Sequence, residues 1–435
     1  MAIRKIVKGI IPRGLFEKVE PAGLGAEAAL INAKNGFPAR GLNVIGVTGT
    51  DGKTTTCMLI AQMLRNSGKR VALITTVVVD YADGAGEQPS PTHLTTASVG
   101  QLQAMFKKIK ANKPDWVVLE TSSHALAQHR VLGVPYSVAV MTNLSHEHLD
   151  YHKTFERYRD AKVQLFKMTA RNRAGLKTGV VNADDDAEMY FAQAVPRVIT
   201  YGVNSGELRA KNIKTTAAGS TFKVGELNIK LNLPGGFNVY NALAAIGVGQ
   251  AIGLEPKQIE QGIASLKAVP GRMMRLEAGQ PFEVLIDYAV TPAALENVLK
   301  AAKQTTKGKV LLVFGATGDR DKAKRPVMGQ VAAKFADRIF LTDDETYRED
   351  PAAIRQAVMG GIAKAGGQAK TTEVDERGAA IKQAIAEARA GDTVLITGLG
   401  HQKDRNMGGK HVSWNDADIA KEVINHKKTA QFRRL

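Results

Sequence analysis

The stretch Val44-Ile45-Gly46-Val47-Thr48-Gly49-Thr50-Asp51-Gly52-Lys53-Thr54-Thr55-Thr56 reads as a buried strand running into a phosphate-binding loop. An apolar run ends at two glycines and a lysine. Three hydroxyl residues then open a helical pattern continued by Met58, Leu59, Ala61, Met63 and Leu64. Glycine lets consecutive backbone N–H groups curl round a phosphate, and the following helix N-terminus adds partial positive charge. Lys53 would neutralise terminal phosphates, and the Thr54 hydroxyl can hold Mg²⁺. The general pattern has a small residue five positions before Gly52, where this chain has Val47, so the loop is the variant G-T-x-G-K-T-T. A Gly-rich turn alone is often only a tight strand-to-helix connection. Lysine and threonine at the helix start, after a buried strand, point to a nucleotide.

Composition fits a soluble multidomain enzyme. A chain of 435 residues has room for two or three domains with ample cores. No apolar run reaches the length of a membrane span, and the N-terminus has no signal-type apolar core. Cys57 is the single cysteine, which excludes an intramolecular disulfide and a cysteine metal cluster, and a cytoplasmic location is the expectation. The net charge of +17 sits partly at the ends, on Arg4, Lys5, Lys8 and Arg13 and on Lys427, Lys428, Arg433 and Arg434. Solvated tails are the simple explanation; attraction to anionic substrates or a weak association with a membrane surface is the sharper one. Without aromatic–basic interleaving or zinc-finger spacing, no nucleic-acid partner is expected.

Strand and helix patterns alternate after the loop. Val71–Val79, Trp116–Glu120 and Ser137–Thr142 read as buried strands and Phe155–Lys167 as an amphipathic helix. That is the pattern of a parallel α/β sheet with its ligand at the carboxyl ends of the strands. From Leu208 to Leu233, short Gly-punctuated strands indicate an antiparallel edge. Helices near Asn238–Ile252 and Pro256–Leu266 lead to Val269-Pro270-Gly271, which marks a junction. A second series of strands follows at Val284–Asp287, Lys309–Phe314, Arg338–Thr342 and Thr393–Thr397.

Polar chemistry gathers where these strands end. Glu120 closes an apolar run ahead of Thr121-Ser122-Ser123-His124. A carboxylate opposite a phosphate loop suits a Mg²⁺ ligand or a water-orienting group, while the plainer alternative is capping of the next helix by this segment. His146, His148 and His152 crowd the next loop, but their spacing does not match HExxH, so a structural zinc is not expected. One of these histidines beside a Mg²⁺–nucleotide site is the better assignment. Lys162, on the helix after that loop, reads by itself as a surface charge.

Taken in order, the motifs resemble those of the Mur ligase family, ATP-dependent amide-forming enzymes of cell-wall precursor synthesis, and within it the MurE type. They are G-T-D-G-K-T-T at 49–55, L-E-T-S-S-H-A-L-A-Q-H-R at 119–130, T-N-L-S-H-E-H-L-D-Y-H at 142–152, A-K-x-x-L-F at 161–166 and F-N-V-Y-N at 237–241. G-R-M-M-R at 271–275, D-Y-A-V-T-P at 287–292 and G-D-R-D-K-A-K-R-P-V-M-G at 318–329 complete the set.

The resemblance implies an α/β fold: a P-loop central domain over 41–270, its parallel sheet carrying a small antiparallel part, then a Rossmann-like C-terminal domain over 271–435. A short basic extension, 1–40, precedes them. It implies that a carboxylate attacks the γ-phosphate of ATP, and that the amine of an amino acid displaces phosphate from the acyl phosphate. Gly49, Thr50, Asp51, Gly52, Lys53, Thr54, Thr55, Asn238, Asn241, Arg272 and Asp287 would then hold ATP. Thr54 and Glu120 would hold one Mg²⁺, and His148 with Lys162 the other, Lys162 being converted to a carbamate by CO₂. Thr95, Thr96, Ser122, Gln128 and Arg130 match positions for the muramoyl-peptide acceptor, and Arg320, Asp344, Glu345 and Gln402 those for the amino acid.

Four departures qualify that picture. About forty residues precede the loop where MurE enzymes carry a UDP-binding domain. The expectation is therefore a short helical cap, within Ile3–Ala33 and broken by Pro12 and Pro21, with no uridine pocket, on a monomeric enzyme. Val290 replaces a histidine, and Gln402 an acidic residue. Asp344-Glu345-Thr346-Tyr347 stands where D-N-P-R selects meso-diaminopimelate, with Tyr347 at the arginine position and Arg348 one place along. That disfavours diaminopimelate and favours lysine or ornithine. A lipid-linked, pseudomurein-type or polyglutamyl acceptor is the enzymatic alternative. A catalytically silent scaffold is the non-enzymatic one, against which the intact Lys53, Thr54, Glu120, His148, Lys162, Arg272 and Asp287 count.

Overall fold

The computed structural model describes the backbone of residues 13–92 and 94–432, and the side chains of 22–92 and 94–426. Of the terminal charges, Arg4, Lys5, Lys8, Arg433 and Arg434 lie outside the described residues, as does Pro12.

A sheet of eleven strands organises the first part of the chain. In chain order they are β1 (Val44–Thr48), β2 (Val71–Ile74), β3 (Val78–Asp80), β4 (Gln88–Pro89), β5 (Trp116–Glu120) and β6 (Tyr136–Met141), then β7 (Thr178–Asn182), β8 (Arg197–Gly202), β9 (Leu208–Thr216), β10 (Gly219–Val224) and β11 (Leu227–Leu231). Their spatial order is β11-β10-β9-β8-β7-β6-β1-β5-β2-β3-β4. From β9 to β2 neighbouring strands are parallel, and both flanks are antiparallel. β1 sits between β5 and β6 and is buried along its whole length, which is why it reads as an unbroken apolar run. β10 and β11 alternate buried and exposed residues, as an antiparallel ribbon with one wet face must.

Alternation along β1 feeds two cores. Ile45 and Val47 pack with the helix Phe237–Ala251 on one face, while Val44 packs with Tyr136, Leu165 and Phe166 on the other. Gly46 shares the second face. A Cβ there would lie 2.5 Å from Tyr136 Cε1 and 2.8 Å from Leu165 Cδ1, so only glycine lets the helix Phe155–Arg171 sit directly on β1.

The second sheet has six strands: β12 (Met274–Arg275), β13 (Glu283–Asp287), β14 (Val310–Phe314), β15 (Arg338–Leu341), β16 (Thr371–Glu373) and β17 (Thr393–Thr397), in the order β12-β13-β17-β14-β15-β16. All pairs but β12–β13 are parallel, and each face is covered by an apolar cluster. A hairpin, β18 (Asp404–Met407) with β19 (Lys410–Ser413), follows. Between the sheets, Gly271 is left-handed at φ 65° and presses against the His401 backbone, where a Cβ would meet His401 N at 2.2 Å. The chain can turn there only with glycine.

Two expectations change. Val71–Val79 is not one strand: the Thr75 hydroxyl accepts hydrogen bonds from Val77 N (3.2 Å) and Val78 N (2.9 Å), and this local turn reverses the chain so that β3 runs antiparallel to β2. Pro21 does not break the N-terminal segment, which is one helix, Arg13–Lys34, beside the helix Val99–Ala111. No helix among the described residues is long and apolar enough to cross a membrane.

Gly46→Ala should overpack the contact between β1 and the helix Phe155–Arg171 and cost about 1–3 kcal/mol of unfolding free energy. A denaturant midpoint unchanged from wild type would contradict this packing.

Candidate active site

A cleft of about 880 Å³ opens between the two sheets, lined from the first by the phosphate loop and from the second by residues that follow β13, β14, β15 and β17. Close approach dictates the loop's glycines. At Gly49 (φ 152°) a Cβ would lie 1.8 Å from Thr142 Oγ1, and at Gly52 (φ 80°) 2.3 Å from Asn241 Oδ1. Lys53 Nζ donates to the carbonyls of Gly49 (3.1 Å) and Thr50 (2.7 Å), curling the loop upon itself. The segment after β6 straps the loop from outside. Thr142 Oγ1 donates to Asp51 O (2.7 Å), Asp51 N to Asn143 Oδ1 (2.9 Å), and Ser145 N to Thr50 Oγ1 (2.9 Å).

Lys162 is no surface charge. Only 2% exposed, it donates from Nζ to Gly49 O at 2.6 Å and stands 4.6 Å from the centre of the Tyr158 ring. Burial, and then the Lys53 ammonium, hold its pKa well below the usual lysine value. Tyr158 OH in turn lies 3.0 Å from Thr50 Oγ1.

The two readings of the segment around Glu120 divide between residues. Ser122 caps the helix Ser123–Ala127, its hydroxyl accepting from Ala125 N. Glu120 instead faces the loop, accepting from Thr54 Oγ1 (3.0 Å) and Thr76 N (2.9 Å) at one oxygen. His148 adopts a left-handed backbone (φ 59°) and packs edge-on against His124 at 4.6 Å between ring centres. His152 is buried, its Nε2 3.1 Å from Ser123 Oγ, whereas His146 is exposed and stacked on Phe155. Burial first, then neighbouring His124 and the Lys162 cation, push His148 down to about 2. Burial likewise brings His124 and His152 to about 4. All three rings are neutral near pH 7, as nitrogen ligands or acceptors must be.

Of the residues matched to the acceptor, Thr95, Ser122 and Arg130 line the cleft. Gln128 and Thr96 stand behind Arg130, receiving its Nε (2.9 Å) and Nη1 (2.9 Å) at Oε1 and the backbone carbonyl, and so aim it. Across the cleft, Arg272 lies over the Tyr288 ring at 4.8 Å, and Asp287 accepts from Met273 N, its carboxyl raised to about 6 by burial against the opposing pull of Arg272. Arg320 Nη2 donates to Tyr347 OH (3.2 Å), and Glu345 accepts from Asn406 N (3.1 Å) and Gln402 Nε2 (3.4 Å). Two matched residues face inward. Asn238 spends its amide on Pro234 O and Asn241, and Asp344 is buried near Arg377, its carboxyl raised to about 6 by burial.

Three participants escaped the sequence reading: Tyr158, Thr76, and the pair formed by Glu147 and Lys324. Tyr158 precedes Lys162 by four residues on one helix face, a spacing that could have flagged it. Thr76 acts through its backbone N–H and leaves no signal.

Among the described residues no group of three His, Cys, Asp or Glu side chains is placed to hold a metal ion. A hydroxyl beside one carboxylate, as at Thr54 and Glu120, fits instead a hard ion that completes its shell with phosphate oxygens and water, as Mg²⁺ does.

Residues 47–249 match the Mur ligase middle domain and residues 271–400 the Mur ligase, glutamate ligase domain. The chain is 40% identical over 407 residues to the UDP-N-acetylmuramoyl-L-alanyl-D-glutamate--2,6-diaminopimelate ligase of Bacillus licheniformis, covering 92% of this chain and 82% of that one. A solved structure of a ligase of the same name superposes with a TM-score of 0.61 at 32% identity, over 94% of this chain and 83% of that one. The folylpolyglutamate synthase of Mycobacterium tuberculosis has a similar fold, with a TM-score of 0.70 at 17% identity over 86% of this chain and 92% of that one.

His124 and His152 have folded-state pKa values lowered to about 4, so below the unfolded value the unfolded chain binds more protons. Their stabilising contribution is complete above about pH 6.5 and is lost as pH falls towards 4. Unfolding free energy measured from pH 7 to pH 4 should fall less steeply in His152→Gln than in wild type; parallel curves would contradict the assignment.

Proposed function

Because the chain belongs to the Mur ligase family, and is thus an ATP-dependent amide-forming ligase, we propose that it joins an amino acid to the carboxylate of a muramoyl peptide. The observation that carries the reading is the convergence of Lys53 and Lys162 on Gly49 O, facing the Thr54–Glu120 pair, with Arg130 aimed into the same cleft. The proposal takes residues 41–270 as the ATP-binding domain and 271–435 as the domain that closes over the nucleotide, joined at Val269–Gly271.

The acceptor carboxylate, oriented by Arg130 and Ser122, attacks the γ-phosphorus as the bond to the β,γ-bridging oxygen breaks and ADP leaves, while the loop amides and Lys53 take up charge on the transferred phosphoryl group. Thr54 with Glu120, and His148 with Lys162, would hold two Mg²⁺ ions, which supply further charge neutralisation when bound. A protonated Lys162 would repel such an ion. Its suppressed basicity supports conversion to a carbamate: the neutral amine attacks CO₂, an N–C bond forms, one C=O electron pair moves onto oxygen, and the amine proton leaves. The second sheet then presents the amino acid, whose neutral amine attacks the acyl carbon; the C–O bond to phosphate breaks, the amine loses a proton, and phosphate leaves inside a cleft that limits hydrolysis of the acyl phosphate.

The similar enzymes are named for 2,6-diaminopimelate. Here Glu345 accepts hydrogens from an amide side chain, a backbone amide and a phenol, and Tyr347 fills the arginine position. An amino acid with a cationic side chain, lysine or ornithine, fits this carboxylate best once closure shields the pair from water. A cytoplasmic, monomeric enzyme drawn weakly to anionic membrane surfaces by its +17 charge belongs to the same proposal.

Lys53→Ala and Glu120→Ala should each cut ADP release by roughly a hundredfold or more without lowering thermal stability; wild-type turnover in either would remove the phosphate-loop assignment. Lys162→Ala should lose activity that added short carboxylic acids partly restore, and no restoration at any concentration would count against the carbamate. Comparison of kcat/KM should place lysine or ornithine about tenfold or more above diaminopimelate, and a preference for a neutral or acidic amino acid would refute the pocket reading.

A further inference from the structure

Glu147 and Lys324 form an ion pair of 3.1 Å across the cleft between the two sheets, each about 8% exposed. Glu147 stands immediately before His148 in the loop after β6, and the backbone there is already left-handed. Lys324 opens the helix Lys324–Phe335, four residues past Arg320, which reaches Tyr347. One short segment of the second sheet's body therefore touches both the Glu345–Tyr347 pocket and the His148 loop. Thr291 Oγ1, 3.4 Å from Asp51 Oδ2, is a second polar contact across the same seam.

A buried ion pair rarely adds net stability, because desolvation consumes its Coulombic gain, and its best-attested use is to set register. The surroundings point the same way. Asp51 and Asp321 add to the negative potential at Glu147, which Lys324 offsets next to the phosphate loop.

We propose that Glu147 and Lys324 are positioning residues whose pairing registers the amino-acid pocket over the phosphate loop and holds the His148 loop in its strained conformation. The chemical consequence, delivery of the amine to the acyl phosphate only when the two halves are locked together, rests on the proposed function. The register itself does not.

The test compares wild type with Lys324→Met, Glu147→Gln and the exchanged pair Glu147→Lys/Lys324→Glu, all with Mg²⁺-ADP, by small-angle scattering and by hydrogen exchange over 143–152. Both single variants should expand the particle and speed exchange in that loop, and the exchanged pair should restore both. In steady state, with the best substrates found above, Lys324→Met should raise KM for the amino acid by about tenfold or more and leave KM for ATP nearly unchanged. Single variants with wild-type scattering and exchange, or an exchanged pair as perturbed as they are, would overturn the proposal. Glu147→Gln, equal in size, decides the matter if the exchanged pair misfolds. Because scattering and exchange need no turnover, both still measure the register in a chain that ligates some other acceptor.

Discussion

Two lysine side chains, Lys53 and Lys162, donate to one backbone carbonyl, that of Gly49. Lys53 has a second carbonyl, that of Thr50, and carboxylates including Glu120 act on Lys162, yet burial and the Lys53 ammonium prevail and favour the uncharged form of Lys162. Both features would serve the proposed phosphoryl transfer: a polyphosphate would answer Lys53, and a neutral Lys162 would be open to the proposed carbamylation. Much of the surrounding structure maintains this convergence. Lys53 opens a helix at the end of β1, Thr142 and Asn143 clamp the loop, and the helix carrying Lys162 rests directly on Gly46.

The second sheet supplies what the loop lacks. Its body brings Arg272, Asp287 and the Glu345–Tyr347–Gln402 pocket to the open side of the phosphate loop, across a seam held by a buried ion pair. Among the described residues, His148 and Tyr347 in the cleft, with Met273 and Asp319 beside it, have positive φ without being glycine, as do residues elsewhere such as Phe37, Lys113 and Asn212. Such conformations persist only where neighbours over-determine them, and here the His148 ring packs on His124, Met273 N donates to Asp287, and Asp319 N donates to Glu349.

What the sequence made legible follows from locality. The phosphate loop, the Glu120 strand end and the antiparallel edge each announce themselves within a dozen residues, because strand burial, glycine geometry and helix initiation are short-range. The break of β2 from β3 was hidden because a β-branched, apolar run reads as one strand, and only the Thr75 hydroxyl, bonding its own backbone, reveals the turn. Strands β7 and β8 and the β18–β19 hairpin left too weak a pattern to be picked out. The burial of Lys162 could not be read from a helix that looks amphipathic with a charged face; it requires β1 to lie beneath. Glu147 and Lys324 stand 177 residues apart, and no local signal connects them.

In the proposed reaction the acceptor carboxylate is activated by phosphoryl transfer in this cleft. The decisive measurement supplies a muramoyl peptide with an ¹⁸O-labelled carboxylate, together with ATP and the preferred amino acid, and examines the inorganic phosphate released by ³¹P NMR. One ¹⁸O should be carried into phosphate for each amide formed, because the carboxylate oxygen bridges to phosphorus and leaves with it. Phosphate free of label, or an absence of ligation with every acceptor and amino acid offered, would contradict this reaction.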